Sequence, residues 1–141
     1  MIPSHESHEG GCLCGAVRYR ASGRPLWVAH CHCRSCRRAS GAAFVTWAGF
    51  PRAAFTVTAG SPARFASSPG VARGFCAACG SPLTYQAERF AGEVHVTVGT
   101  LDVPEAFPPE VHVWCAHALP WVRLDDGLPR HAGFGDAGGE P

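Results

Sequence analysis

Seven of the eight cysteines in this 141-residue chain fall into three tight groups: Cys12-Leu13-Cys14, Cys31-His32-Cys33-Arg34-Ser35-Cys36 and Cys76-Ala77-Ala78-Cys79. No other feature constrains the fold as strongly. Two thiolates one or two residues apart bind one side of a tetrahedral ion at metal–sulfur distances of about 2.3 Å, and a second pair from elsewhere in the chain closes the site. Two pairs and a triple therefore read as one closed four-sulfur site and one site that is a ligand short.

The length fits one domain, small enough that a bound metal would add usefully to its stability. Charged residues at 16% and hydrophobic residues at 46% suit a globular protein, while 17 glycines and 12 prolines favour many turns and short strands over long helices. The formal charge of +1 counts every cysteine as a neutral thiol. A four-thiolate and a three-thiolate zinc site would together remove three charges and leave the chain near −2, no basis for electrostatic binding of nucleic acid. The longest apolar runs fall far short of the roughly 20 residues of a membrane span, and residues 1–9 carry no apolar leader, so no membrane partner is expected. The expected compartment is the cytoplasm. In a reducing compartment clustered cysteines are metal ligands more often than disulfides.

Residues 1–9, polar and with His5 and His8, read as a flexible N-terminal tail; the glycine-rich residues 132–141 read as its C-terminal counterpart. Between them apolar and polar residues alternate with period two. Val17, Tyr19 and Ala21 alternate with Arg18 and Arg20, Phe55, Val57 and Ala59 with Thr56 and Thr58, and Val94, Val96 and Val98 with His95 and Thr97. Further short strands fit residues 26–30, 43–48, 64–66, 83–86 and 111–114, separated by Pro- and Gly-containing turns. One helical turn is expected over residues 35–39, stopped by Gly41. The fold class is mainly β, with few short helical turns.

Gly80, directly after Cys79, permits the tight turn in which backbone amides donate to thiolate sulfurs. A thioredoxin-type redox role for Cys76 and Cys79 needs a βαβ context, whereas strand patterns flank this pair. Cys31, Cys33 and Cys36 have no obvious fourth protein partner, and an open fourth position distinguishes catalytic zinc from structural zinc. Two residues compete for it. Cys115 stands outside the clusters and reads more simply as a small buried hydrophobe; His32, held between two ligating neighbours, points away.

Four motifs in order resemble the glutathione-dependent formaldehyde-activating enzyme (Gfa) family, which includes centromere-protein-V-like proteins. They are Gly11-Cys12-Leu13-Cys14-Gly15-Ala16-Val17-Arg18-Tyr19, His30-Cys31-His32-Cys33-Arg34-Ser35-Cys36-Arg37-Arg38-Ala39-Ser40-Gly41, Phe75-Cys76-Ala77-Ala78-Cys79-Gly80-Ser81-Pro82-Leu83, and His112-Val113-Trp114 with Leu119-Pro120-Trp121. The resemblance covers residues 10–131, taken as the domain. It implies a β-tent fold of short, coiled antiparallel sheets holding two Zn(2+) ions per chain. In that pattern Cys12, Cys14, Cys76 and Cys79 hold a structural ion, and Cys31, Cys33 and Cys36 a catalytic one.

The activity implied by the resemblance is that of a carbon–sulfur lyase, condensing glutathione or a similar thiol with formaldehyde to S-hydroxymethylglutathione. No catalytic residue is expected beyond the zinc ligands. Arg37 and Arg38, with Arg34 beside them, are candidates to bind the glutathione carboxylates, because a guanidinium holds a carboxylate in bidentate fashion. The competing reading is a solvated basic face. His112 and Trp114 either line the pocket or pack as an ordinary hydrogen-bonded histidine and a core tryptophan; Trp27, Trp47 and Trp121 read as core or rim. Two alternatives stay open: a zinc-stabilised binding or scaffold module without catalysis, and a lyase acting on another thiol adduct.

Overall fold

The segment Arg18-Tyr19-Arg20-Ala21-Ser22 buries Tyr19 and Ala21 and leaves Arg20 and Ser22 exposed, as its alternation requires of a half-buried strand. The same rule builds most of the computed structural model, which describes residues 6–134. Its strands are β1 Ser7–Gly11, β2 Arg18–Ser22, β3 Trp27–Cys31, β4 Val45–Pro51, β5 Phe55–Ala59, β6 Ala63–Ser68, β7 Val71–Phe75, β8 Pro82–Ala87, β9 Glu93–Thr97 and β10 Val111–Val113, with one α-helix, α1, at Arg34–Ser40. Short 3-10 turns make up the remaining helical structure. None of these helices is long and apolar enough to cross a membrane.

Three strands form one sheet in the order β1-β2-β5, and seven form another in the order β10-β3-β4-β9-β8-β7-β6. Neighbours pair antiparallel except β10, which runs parallel to β3 and sets Val111, His112 and Val113 opposite Ala29, His30 and Cys31. The central strands of the larger sheet are buried on both faces. Val28 of β3, Ala48 and Phe50 of β4, and Val94 and Val96 of β9 join Tyr19 and Ala21 of β2 in one apolar cluster. Ala29 and Cys31 of β3, with Val45 and Trp47 of β4, join a second cluster with Tyr85, Val113 and Trp114. Successive side chains of a strand point to opposite faces, so β3 and β4 supply both clusters at once.

Helix α1 begins where Cys33 caps it, its sulfur accepting from the Cys36 amide, and ends at Gly41, whose φ of 74° and N–H to the Arg37 carbonyl close the last turn. The expected helical turn over residues 35–39 is therefore present and one residue longer at each end.

Two strands went unread in the sequence. β7 (Val-Ala-Arg-Gly-Phe) lies between β6 and β8 in spite of its arginine and glycine, and Gly74 is required there because a Cβ would stand 2.2 Å from Thr84 Oγ1. β1 contains residues 7–9, which the sequence reading assigned to the N-terminal tail. His8 donates through Nε2 to the Gly23 carbonyl at 3.0 Å and packs edge-on against Phe107, so it is part of the sheet and not of a solvated terminus. At the other end residues 132–134 also pack, with Phe134 against Trp27 and Phe90 at ring distances of 5.4 and 5.2 Å. Residues 1–5, including His5, and 135–141 lie outside the described residues.

Phe107 is 2% exposed and touches both His8 and Phe50, fastening the segment after β9 to the first cluster. Phe107→Ala is expected to cost about 3–5 kcal/mol, seen as a lower denaturant midpoint at constant slope.

Candidate metal centres

Cys12 and Cys14 sit on the turn between β1 and β2, Cys76 and Cys79 on the turn between β7 and β8. The two turns are built alike. In each the first cysteine's carbonyl accepts from a later glycine amide, Gly15 to Cys12 at 3.1 Å and Gly80 to Cys76 at 2.8 Å. Both glycines have φ near +80°, a conformation that L side chains resist. All four sulfurs lie within 4.8 Å of one another. Cys12 Sγ is 3.6 Å from Cys14 Sγ, which is 3.8 Å from Cys76 Sγ. Four sulfurs about 2.3 Å from a common centre have tetrahedral edges of about 3.8 Å, so the donor set fits a zinc-sized ion. A disulfide needs about 2.05 Å, and all eight cysteines are free.

The surrounding donors favour thiolate. The Val17 amide donates to Cys12 Sγ at 3.2 Å. Ser81 stitches the turns together, its Oγ accepting from the Leu13 amide at 3.0 Å and lying 3.2 Å from Cys79 Sγ. That Ser81 hydroxyl, with the Ser81 amide, lowers the Cys79 thiol to about 5.

Cys31 at the end of β3, Cys33 at the helix cap and Cys36 inside α1 form the second group, also within 4.8 Å and wholly buried. Cys36 is held down to about 3, first by hydrogen bonds from the Cys31 and Cys33 thiols and then by the Arg73 guanidinium; Cys31 is pushed far up by the same sharing. Without a cation the three sulfurs thus compete for negative charge, with Cys36 favoured as thiolate. A divalent cation relieves that competition by taking all three as thiolates, so this donor set also fits a metal. Neither rival fourth ligand joins it: Cys115 and His32 belong to no such group among the described residues.

His32 is turned elsewhere. Its Nε2 lies 2.9 Å from His112 Nδ1, and His112 Nε2 lies 2.7 Å from Asp126 Oδ2. The Asp126 carboxylate can only accept, so His112 donates to it through Nε2, and a neutral His112 then accepts from His32 through Nδ1. Burial, then the nearby His112, lowers His32 to about 4, so the buried ring is neutral at pH 7. His30, His112 and Asp126 also approach within 4.8 Å, but these hydrogen bonds and that of His30 Nδ1 to Thr46 Oγ1 at 2.7 Å already engage them.

A cavity of about 30 Å³ lies against the triple. Cys31 and Cys36 form part of its wall, and the rings of Trp27, Trp47, Tyr85, Phe90, Trp114 and Phe134 form most of the rest. The basic residue at the sulfurs is Arg73 of β7, 8% exposed, with Nη1 3.9 Å from Cys36 Sγ and its guanidinium 5.1 Å over the Tyr85 ring. Sequence reasoning missed it; the signal was a lone arginine in an apolar run just before Cys76. Of the expected arginines, Arg37 reaches the His117 carbonyl at 3.4 Å, tying α1 to the segment after β10, and Arg38 is exposed on the outer side of the helix. Trp121 is 68% exposed, whereas Trp27 and Trp47 line the cavity.

The comparisons with known proteins agree with this arrangement. The glutathione-dependent formaldehyde-activating enzyme family matches residues 7–117. A curated Halomonas elongata protein named "Putative glutathione-dependent formaldehyde-activating enzyme" is 31% identical over 127 residues, covering 83% of this chain and 80% of its own. The crystal structure of a Rhodobacter sphaeroides protein superposes with a TM-score of 0.57 at 21% identity, over 86% of this chain and 98% of that one, which is a likeness of fold. With both cysteine sets gathered and the family match spanning most of the domain, the chain belongs to the glutathione-dependent formaldehyde-activating enzyme family.

Proposed function

We propose that the protein is a zinc-dependent carbon–sulfur lyase that joins glutathione, or a similar thiol, to formaldehyde as S-hydroxymethylglutathione. The observation that carries this reading is the incomplete triple: Cys31, Cys33 and Cys36 gather without a fourth protein sulfur among the described residues, and two of them wall a cavity. Cys12, Cys14, Cys76 and Cys79 hold a structural zinc in this account and the triple holds the second. A zinc ion at the triple supplies acidity, bringing a bound thiol toward thiolate near neutral pH.

The chain's own residues supply the remaining conditions. Three thiolates and a divalent cation leave one net negative charge, which the buried Arg73 beside Cys36 offsets. The aromatic walls give the site a largely apolar lining. One C–S bond forms, the carbonyl becomes a hydroxyl, and the proton lost from the thiol ends on that oxygen, so no oxidant or reductant is needed. Arg38, exposed beside the cluster, is the better placed of the two expected arginines to meet a glutathione carboxylate, since Arg37 holds the His117 carbonyl. A reducing compartment such as the cytoplasm keeps both the ligands and the substrate thiol reduced.

Adduct formation followed by NMR against a protein-free blank, with zinc measured on the same sample, tests the reading. Turnover above the blank is expected with glutathione, and Cys33→Ser should return it to the blank rate while one zinc and a folded domain remain. A wild-type rate equal to the blank with every thiol tried would leave a zinc-stabilised scaffold. Cys76→Ser, by contrast, should lose the structural zinc and several kcal/mol of stability, because binding at such a site is folding energy. An unchanged melting temperature in that variant would overturn the structural assignment.

A further inference from the structure

Cys31 ends β3, and Cys33, at φ −66° and ψ 153°, is still extended where it caps α1. Between them the His32 amide donates to the Val113 carbonyl at 3.0 Å, which carries the β3–β10 pairing one residue past Cys31. Neighbouring side chains of an extended segment point to opposite sides. Here the Cys31 and Cys33 sulfurs gather with Cys36, and the His32 ring turns toward His112. Wherever that ring is held, the two sulfurs flanking it are held too. It is fully buried, stacked on His112 at 5.2 Å and tilted against Phe44 at 5.4 Å. Its Nδ1 has no partner, so the 2.9 Å bond from Nε2 to His112 Nδ1 decides how the ring is turned.

What holds His112 comes from the segment after β10. Its Nε2 lies 2.7 Å from Asp126 Oδ2, while the other carboxylate oxygen accepts from the Leu128 amide at 3.1 Å across Gly127, whose φ of 69° makes the turn. Arg130 Nη2 closes the same loop on the Leu124 carbonyl at 2.7 Å. The backbone of His112 is pinned to this segment as well: its amide donates to the Pro129 carbonyl and its carbonyl accepts from the His131 amide, both at 2.9 Å. Asp126 therefore reaches His112 with its direction already set. Its side chain is 30% exposed, whereas the two rings behind it are fully buried. A surface carboxylate thus ends a chain whose other end is the residue between Cys31 and Cys33. Asp126 also lies beyond residues 7–117, the extent of the family match.

We propose that Asp126 is a positioning residue for the metal triple: through His112 it orients the His32 ring, and with that ring the Cys31 and Cys33 sulfurs. The proposal rests on the second zinc of the lyase reading and not on its turnover. An acceptor-only carboxylate puts the hydrogen of a neutral His112 on Nε2. That leaves His112 Nδ1 to accept, which puts the His32 hydrogen on Nε2 as well. One carboxylate at the surface so sets the tautomer of two buried rings. The bond it accepts is also the charge-assisted one of the chain, the stronger kind. Groups that orient metal ligands from outside the coordination sphere change metal affinity by 10- to 100-fold when removed, as a general magnitude. Asp126 acts on the ligands through the loop that carries them, with His32 as the point of attachment.

The test uses the zinc-loaded full chain in two arms. In the first, the ring nitrogens of His32 and His112 are observed by NMR in isotope-labelled protein. Both should be Nε2–H tautomers in the wild type, and Asp126→Leu, which removes the acceptor at an exposed position, should release His112 from that form. An Nδ1–H tautomer at either ring of the wild type, or rings unchanged in the variant, overturns the proposal. In the second, zinc release to a chelator is timed, and the phase absent from Cys33→Ser is assigned to the triple. Asp126→Leu should speed that phase about tenfold and leave the structural zinc's phase unchanged. Asp126→Asn, closer in shape and keeping one acceptor oxygen, should give a smaller change in the same direction. Release from the triple within twofold of wild type in Asp126→Leu, or equal acceleration of both phases, overturns the positioning role. A wild type that holds one zinc overturns the metal reading of the triple and this proposal with it, whereas two zincs without turnover overturn the lyase reading alone.

Discussion

The convergence of Cys12 and Cys14 with Cys76 and Cys79 is the constraint on which the rest of the structure depends. It joins the β1–β2 turn of the small sheet to the β7–β8 turn of the large one, across 62 residues between Cys14 and Cys76. Ordering so many short strands is costly in conformational entropy, and strands of five to seven residues offer little local cooperativity in return. Holding the two turns together fixes the relation of the sheets. Cys12 and Cys76 are themselves buried in the apolar cluster between the sheets, so the sulfur junction and the core are continuous.

The other face of the large sheet carries the cysteine triple. β3 sends Val28 toward the small sheet, and Ala29 and Cys31 away from it; β4 divides Ala48 and Phe50 from Val45 and Trp47 in the same way. The cysteine triple begins on a strand held in register between β10 and β4 and finishes in a capped helix. Its sulfurs are positioned by regular structure on both sides, the condition under which a site keeps its geometry without a ligand.

Legibility in the sequence followed the range of the physics involved. The cysteine sets were readable because spacing within each turn is local, and strands such as β2, β5 and β9 because alternation is local. α1 was readable from its glycine stop. β7 was not, since Arg73 and Gly74 make sense only once Thr84 and Cys36 are known to be their neighbours. β1 was hidden for a related reason: Gly10 looks like a linker residue, yet a Cβ there would stand 2.5 Å from the Tyr19 ring. The arginines beside the triple in sequence drew attention from the one beside it in space. The chain from Asp126 through His112 to His32 links residues 80 and 14 positions apart, which no spacing rule connects.

The two faces of the large sheet also differ in how completely their polar groups are satisfied. Toward the small sheet, Tyr19 Oη meets Thr100 Oγ1 at 2.8 Å and Thr97 Oγ1 donates to the Pro82 carbonyl at 2.9 Å. On the cysteine side, His32 Nδ1, Arg73 Nη2 and Trp114 Nε1 are buried without partners. Such groups are costly to bury unless water or a bound molecule completes them, and that cost falls on this face of the sheet. A face that carries it must be held in place by something else, and here that is the sulfur junction and the well-paired core behind the sheet.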